Sequence, residues 1–249
     1  MGFSSSPVVY FDFDDTLIPG DSILYWKRYF FIRKPYQRYF QIITWVCLIA
    51  YFLRLCGPEA LKRIFLLPVS WLTPKEIDSF SQDFVRDELI PRLYPEMIKK
   101  LKEHQKQGFR VVIISASPLF YLRFLEDYLP DVRVIGTTIR FPSTGLCRWP
   151  RFDSKWGNMK GETKVDFLKS DPQESDSGIG CYAYSDSHSD APLLNFVQHA
   201  VAVQPNCKLE TMAKKRGWQI LKPRVNSPRW RRNLMKVWLL LSDLGTWPQ

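Results

Sequence analysis

Three apolar runs in this 249-residue chain each stop at a polar side chain. Pro7-Val-Val-Tyr-Phe11 ends in Asp12, Phe109-Arg-Val-Val-Ile-Ile114 in Ser115, and Gly180-Cys-Tyr-Ala-Tyr184 in Ser185-Asp186. Short runs of this kind, rich in β-branched and aromatic residues and without alternation, read as strands buried on both faces, the strands of a parallel sheet. Polar helical stretches lie between them. One covers 73–87, opened by Thr73 as N-cap, Pro74 at the first helical position and Glu76 beyond. Others are predicted over 94–107, closed by Gly108, over about 119–128 and over about 162–168. A strand is expected over 132–140, a hairpin or flap over the turn-rich 141–160, and a last strand at Ala200-Val-Ala-Val203, followed by a helix and a basic tail. Strands alternating with helices predict an α/β fold around a parallel sheet. In an open sheet of that type ligands bind at the carboxyl ends of the strands, where Asp12, Ser115 and Asp186 would meet.

The sharpest local signal is Asp12-Phe-Asp14-Asp-Thr16, directly after a strand. At a strand-to-loop bend these carboxylates can flank one site, and a divalent cation would hold their charge together; alone, the string could equally be an acidic turn. Lys164 in Gly161-Glu-Thr-Lys-Val-Asp-Phe-Leu168 and Asp190 in Ser185-Asp-Ser-His-Ser-Asp190 complete a set of four motifs. Their order and spacing resemble the haloacid dehalogenase-like (HAD) phosphatases over most of residues 7–222. Within that superfamily the chain looks like the phosphoserine phosphatase subgroup, subfamily IB, in which a helical cap follows the first motif. The string Ser185-Asp-Ser-x-x-Asp-x-Pro-Leu-Leu194, then Gln198-His199, Thr137 in Val134-Ile-Gly-Thr, and an apolar cap after Asp21 bring the resemblance towards the phosphatidylglycerophosphatase C type. Relatives with soluble substrates share Pro192-Leu-Leu and Arg216-Gly-Trp218.

The resemblance implies a Rossmann-like core from residues 1–20 and 90–222, an inserted helical cap over 21–89 and a basic amphipathic tail over 223–249. It implies that Asp12 is the nucleophile that forms an aspartyl-phosphate and that Asp14 serves as general acid and then general base. Mg²⁺ would bind the Asp12 carboxylate, the Asp14 main-chain carbonyl and Asp186. Ser115 and Lys164 would hold phosphoryl oxygens, Asp190 would support the metal waters or the lysine, and Thr16 the first loop. Lys160 also precedes a Gly-Glu pair and competes for the lysine role. Lys164 is preferred because the 22 residues to Asp186 fit one helix and one connection. Asp15 stands where relatives often carry glycine. Asp21, nine residues after Asp12, could contact a substrate hydroxyl or amine or simply cap the next helix. His188 reads as a solvated loop histidine, since oxygen ligands already fill the implied metal shell.

Charge adds a second theme. A mean hydropathy of −0.21 excludes a mostly membrane-embedded chain, and 24% charged residues with 37 aromatics exclude wholesale disorder. The net charge of +10 is unevenly spread. Residues 18–72 carry eight basic and two acidic side chains, residues 211–242 nine basic and none acidic, which leaves −5 on the rest. The first segment holds 13 of the 37 aromatics, and its centre, Tyr39 to Leu53, is free of charge. As a helix those residues reach about 22 Å, short of the roughly 30 Å hydrocarbon thickness. With the run Ile64-Phe-Leu-Leu-Pro-Val-Ser-Trp-Leu72 they suggest a membrane-dipping or interfacial hairpin, against the alternative of a buried core helix. In the tail, Trp230, Leu234, Val237, Leu241 and Leu244 recur at helical spacing with Arg231, Arg232 and Lys236 off the stripe. That helix would lie on a membrane or pack on the body through the same stripe. Five scattered cysteines without a C-x-x-C pair argue against a zinc or disulfide framework and for a reducing compartment. The start of the chain reads as a flexible entry to the first strand, with no secretory leader and a loose myristoylation pattern at Gly2 and Ser6.

The expectation is a Mg²⁺-dependent phosphomonoester hydrolase acting on a lipid-linked phosphate such as phosphatidylglycerophosphate. It would lie against an anionic membrane surface on the cytoplasmic face, the inner membrane in a bacterium. The alternative is a cytoplasmic phosphatase of a small soluble phosphomonoester, of the phosphoserine or histidinol-phosphate kind. A nucleic-acid-binding protein with an inactive core is remote, because no base-reading motif is present and all four motifs are complete.

Overall fold

In the computed structural model, residues 7–142, 148–174, 181–223 and 234–239 are described. In chain order the elements are β1 (Val8–Phe11), α1 (Ser22–Arg33), α2 (Phe40–Phe52), α3 (Pro58–Leu66), α4 (Pro74–Phe84), α5 (Pro95–Lys106), β2 (Arg110–Pro118), α6 (Leu119–Leu122) and β3 (Val132–Thr137). There follow β4 (Ile139–Arg140), β5 (Arg151–Phe152), α7 (Glu162–Ser170), β6 (Tyr182–Ser185), α8 (Ala191–Phe196), β7 (His199–Val203), α9 (Cys207–Arg216) and β8 (Gln219–Leu221). Six strands form a parallel sheet in the order β3-β2-β1-β6-β7-β8, an α/β Rossmann-like architecture.

β1 is a central strand, and its sequence shows why. Val9 and Phe11 join the hydrophobic cluster on one face, Val8 and Tyr10 the cluster on the other, so four apolar residues in a row satisfy both sides. The chain builds outward from β1 through β2 to β3, then returns to the other side of β1 with β6, β7 and β8. The direction of winding reverses between β1 and β6. At such a reversal the loops leave in opposite directions and open a crevice. Because β2, β1 and β6 are neighbours, Ser115, Asp12 and Asp186 end up side by side.

Helices α1 to α4 are inserted between β1 and β2. The insertion leaves the core after Leu17 and rejoins it at Tyr94, whose N–H donates to the Leu17 carbonyl (2.8 Å). α1 starts where it does because the Asp21 carboxylate accepts the Ile23 N–H (3.1 Å). It packs through Trp26, which meets Phe80, Phe84 and Phe120 edge-on and stacks on Tyr121. α4 has the expected start, a reciprocal capping box between Thr73 and Glu76 with Pro74 at the first position.

Several expectations are corrected. The run 64–72 does not dip into a membrane: Phe65, Leu66, Leu67 and Val69 are core residues at the end of α3 and in the 3₁₀ turn Leu67–Trp71. The run 39–53 forms α2, and among the described residues no helix is long and apolar enough to cross a membrane. α2 buries Phe40, Thr44, Cys47 and Leu48 and leaves Ile42, Val46, Ile49 and Phe52 open to solvent, Phe52 at 74% exposure. The helix expected over 119–128 shrinks to α6 and a 3₁₀ turn, whereas β2 continues to Pro118. The strand expected over 132–140 breaks after Thr137, and β4 turns off to pair with β5 in the hairpin anticipated over 141–160. β8, too short to show a period, adds a strand beyond the one at Ala200–Val203 that was expected to be the last. Residues 234–239 are helical, but Leu234 and Val237 face solvent, and Met235, Trp238 and Leu239 pack inward. The predicted stripe is therefore the outer face of that segment, and Trp230, Arg231, Arg232, Leu241 and Leu244 lie outside the described residues.

Candidate active site

The parallel ladder carries one residue past β1, with the Asp12 N–H donating to the Tyr184 carbonyl (2.9 Å), and this sets the Asp12 side chain at the sheet edge. Lys164, in the first turn of α7, reaches it from below. Its Nζ lies 2.7 Å from Asp12 Oδ1 and 2.7 Å from Asp190 Oδ2, with the lysine only 1% exposed. Burial alone would pull this ammonium down, but the charges of Asp12 and Asp190 outweigh it and hold the group above its ordinary range. Burial pushes Asp12 up to about 6, against the pull of Lys164. Ser185 Oγ donates to Asp190 (2.8 Å). Thr16 Oγ1 donates to Asp12 Oδ2 (3.4 Å) and accepts the Asp186 N–H (3.1 Å), tying the first loop to the loop after β6. Of the two candidate lysines, Lys164 contacts Asp12, and Lys160 stays exposed at the rim.

Asp14 turns towards the insertion. Its carboxylate accepts the Ser22 N–H (2.7 Å) and the Ser117 hydroxyl (2.5 Å). Burial, then the nearby charge of Asp21, raises it to about 7, so near neutral pH it can both give and take a proton. Ser115 is buried at the end of the apolar part of β2, and its Oγ accepts the Ser117 N–H (3.0 Å). Asp21 caps α1 and also lines the cleft. His188 is exposed on a 3₁₀ turn.

Sheet edge and insertion enclose a cleft of about 540 Å³. Asp12, Asp14, Ser115, Lys164, Asp186 and Asp190 line its floor, all placed there as the motif spacing anticipated. The sequence reading missed three contributors. Ser117 was legible, because it shares a face of β2 with Ser115 two positions earlier. Lys62 on α3 donates to the Ala116 carbonyl (2.8 Å) and to Asn158 Oδ1 (2.6 Å), and burial lowers it to about 8. Lys236 comes from the C-terminal segment and pairs with Asp15. Nothing in the local sequence marks either lysine.

Among the described residues no three or more His, Cys, Asp or Glu side chains converge as a ready metal cage. The implied Mg²⁺ set does not need one: it asks for two carboxylates, Asp12 and Asp186, and the Asp14 main-chain oxygen. Those groups fit a hard cation. Asp12 and Asp186 are both buried, and a dication at the cleft floor would offset the charge that burial makes costly there.

Comparison with known proteins agrees with this geometry. A histidinol-phosphatase of Neisseria meningitidis is 27% identical over 234 residues, covering 85% of this chain and 96% of the relative. A solved Bordetella pertussis protein of unknown function superposes with a TM-score of 0.74 at 22% identity, covering 89% of this chain and all of that one. A phosphoserine phosphatase solved as a phospho-aspartyl intermediate analogue shares the fold at a TM-score of 0.54 and 14% identity, over 94% of this chain and 99% of that one. The family match spans residues 9–195, from β1 to the middle of α8, and so takes in all four motifs. The chain belongs to the haloacid dehalogenase-like hydrolases and is an enzyme of that family.

Proposed function

We propose that this hydrolase is a Mg²⁺-dependent phosphatase of a small phosphomonoester, working through a phospho-aspartate at Asp12. The observation that carries the reading is the pairing of Asp12 with Lys164 beside Asp14, a carboxyl held near neutral by burial. Asp12 attacks phosphorus as the bond to the alcohol oxygen breaks, and Asp14 gives that oxygen its proton. Water then attacks the acyl phosphate, Asp14 takes a proton back, and the Asp12–phosphate bond breaks to release inorganic phosphate. Lys164 and Ser115 hold phosphoryl oxygens, and Asp190 keeps Lys164 in place. The bound cation, held by Asp12, Asp186 and the Asp14 carbonyl, would neutralise phosphoryl charge. The named relatives, a histidinol-phosphatase and a phosphoserine phosphatase, support a small substrate carrying an amine. Asp21, a carboxylate on the insertion side of the cleft, suits such a group.

One observation favours a second reading, a lipid-linked phosphomonoester. The exposed apolar face of α2 runs to Tyr51, which lines the cleft, and Arg38 and Arg54 flank the helix on a stretch with no acidic residue between Asp21 and Glu59. A phosphate-release screen separates the two. Histidinol phosphate and phosphoserine in buffer are compared with phosphatidylglycerophosphate in detergent, all with Mg²⁺. Turnover of a small ester in wild type, lost in Asp12→Asn with the melting temperature retained, is the expected result. Turnover confined to the lipid selects the second reading, and full activity in Asp12→Asn would sink the phospho-aspartate.

A further inference from the structure

We infer that Lys236, well beyond the family match, is a positioning residue of the catalytic loop: it neutralises Asp15, the carboxylate beside Asp14. Asp15 adopts a left-handed backbone (φ 54°), a conformation free to glycine and among the least costly for aspartate of the residues with a side chain. Its backbone N–H donates to the Gly20 carbonyl (3.0 Å), and its Oδ1 accepts the Gly20 N–H (2.9 Å), so the side chain closes the loop that carries Asp14 and Thr16. A carboxylate at this point adds negative charge to a cleft already lined by Asp12, Asp14, Asp21, Asp186 and Asp190. Lys164 is committed to Asp12 and Asp190, and Lys62 to Ala116 and Asn158. The ion pair from Lys236 Nζ to Asp15 Oδ2 supplies a counter-charge to that carboxylate.

Lys236 is delivered by a turn of helix that α1 fixes through contacts of its own. Leu239 is buried in the core cluster, and its carbonyl accepts from Lys27 Nζ (3.4 Å). The Arg28 guanidinium lies over the Trp238 ring (5.9 Å), and the Tyr25 hydroxyl meets Met235 Sδ (3.9 Å). The segment thus spans from the insertion to the catalytic loop, and the aspartate at 15 and the lysine at 236 act as one unit separated by 221 residues.

The test is a double-mutant cycle in the full chain with Lys236→Met, Asp15→Gly and the double variant, with Lys236→Arg as control. Melting temperature is measured for each, together with kcat and KM on a small phosphomonoester at saturating Mg²⁺. The activity arm rests on the phosphatase reading. Lys236→Met should lower kcat on the order of tenfold with a smaller change in KM, and Lys236→Arg should retain most of it. Adding Asp15→Gly should restore much of kcat, because the carboxylate that Lys236 pairs with is then gone. An equal loss from Lys236→Met in both backgrounds would overturn the inference. If wild type hydrolyses no phosphomonoester, the phosphatase reading fails. The pair is then judged by melting temperature, where non-additive shifts sustain it and additive shifts refute it.

Discussion

Asp14 and Ser117 form the most consequential single contact in the cleft, because the hydroxyl favours the charged form of a carboxyl that burial disfavours. Ser117→Ala removes that donor. The Asp14 pKa should rise further and the basic limb of the pH–rate profile move to higher pH, with kcat reduced by about tenfold, as a lost buried hydrogen bond to a charged group predicts. Stability has a definite sign too. Asp12 and Asp14 titrate at 3.8 in an unfolded chain and at about 6 and about 7 here, so the fold binds protons more tightly than the unfolded state does. Their stabilisation is complete below pH 4 and lost as pH rises through 6 and 7. Urea midpoints of metal-free protein should fall across that window, and Asp14→Asn should flatten the fall. At this scale Asp12, Ser115 and Asp186 were legible because each closes an apolar run, while Asp14 and Lys164 were legible through the motifs that carry the family resemblance. Lys62 and Lys236 were not, since only tertiary packing brings their helices to the site.

Among the elements, α1 joins the insertion to the core through Trp26, fully buried among Phe80, Phe84, Phe120 and Tyr121. Trp26→Ala leaves a large cavity there and should cost about 3–5 kcal/mol in chemical denaturation. β1, β2 and β6 were readable as strands because continuous apolar runs of that length suit the middle of a parallel sheet. α2 was readable as a helix of the right length but not for its environment. It is apolar nearly all round, so periodicity could not say which side is buried, and the structure assigns Phe40, Thr44, Cys47 and Leu48 to the inside. The C-terminal segment misled for a related reason: its spacing marks one stripe, while the face beside it, Met235 and Leu239 four residues apart with Trp238 between, makes the contacts.

Across the whole molecule, positive charge and exposed apolar surface coincide on the insertion, while the carboxylates gather at the sheet edge. An exposed patch of this size has a measurable signature. Val46→Ser with Ile49→Ser, both on the open side of α2, should make the protein elute earlier from a phenyl hydrophobic-interaction column without lowering its melting temperature. The insertion also has a well-defined attachment. Its two stems meet in one main-chain hydrogen bond between Leu17 and Tyr94, so everything between them enters and leaves the core through a single narrow neck. Exchange of the chain between those stems would replace α1 to α4 in one piece, together with the Ser22 N–H that Asp14 accepts and the α1 contacts that hold the segment carrying Lys236. A foreign insertion would therefore have to match the floor beneath it, so that selectivity and chemistry travel together in this fold.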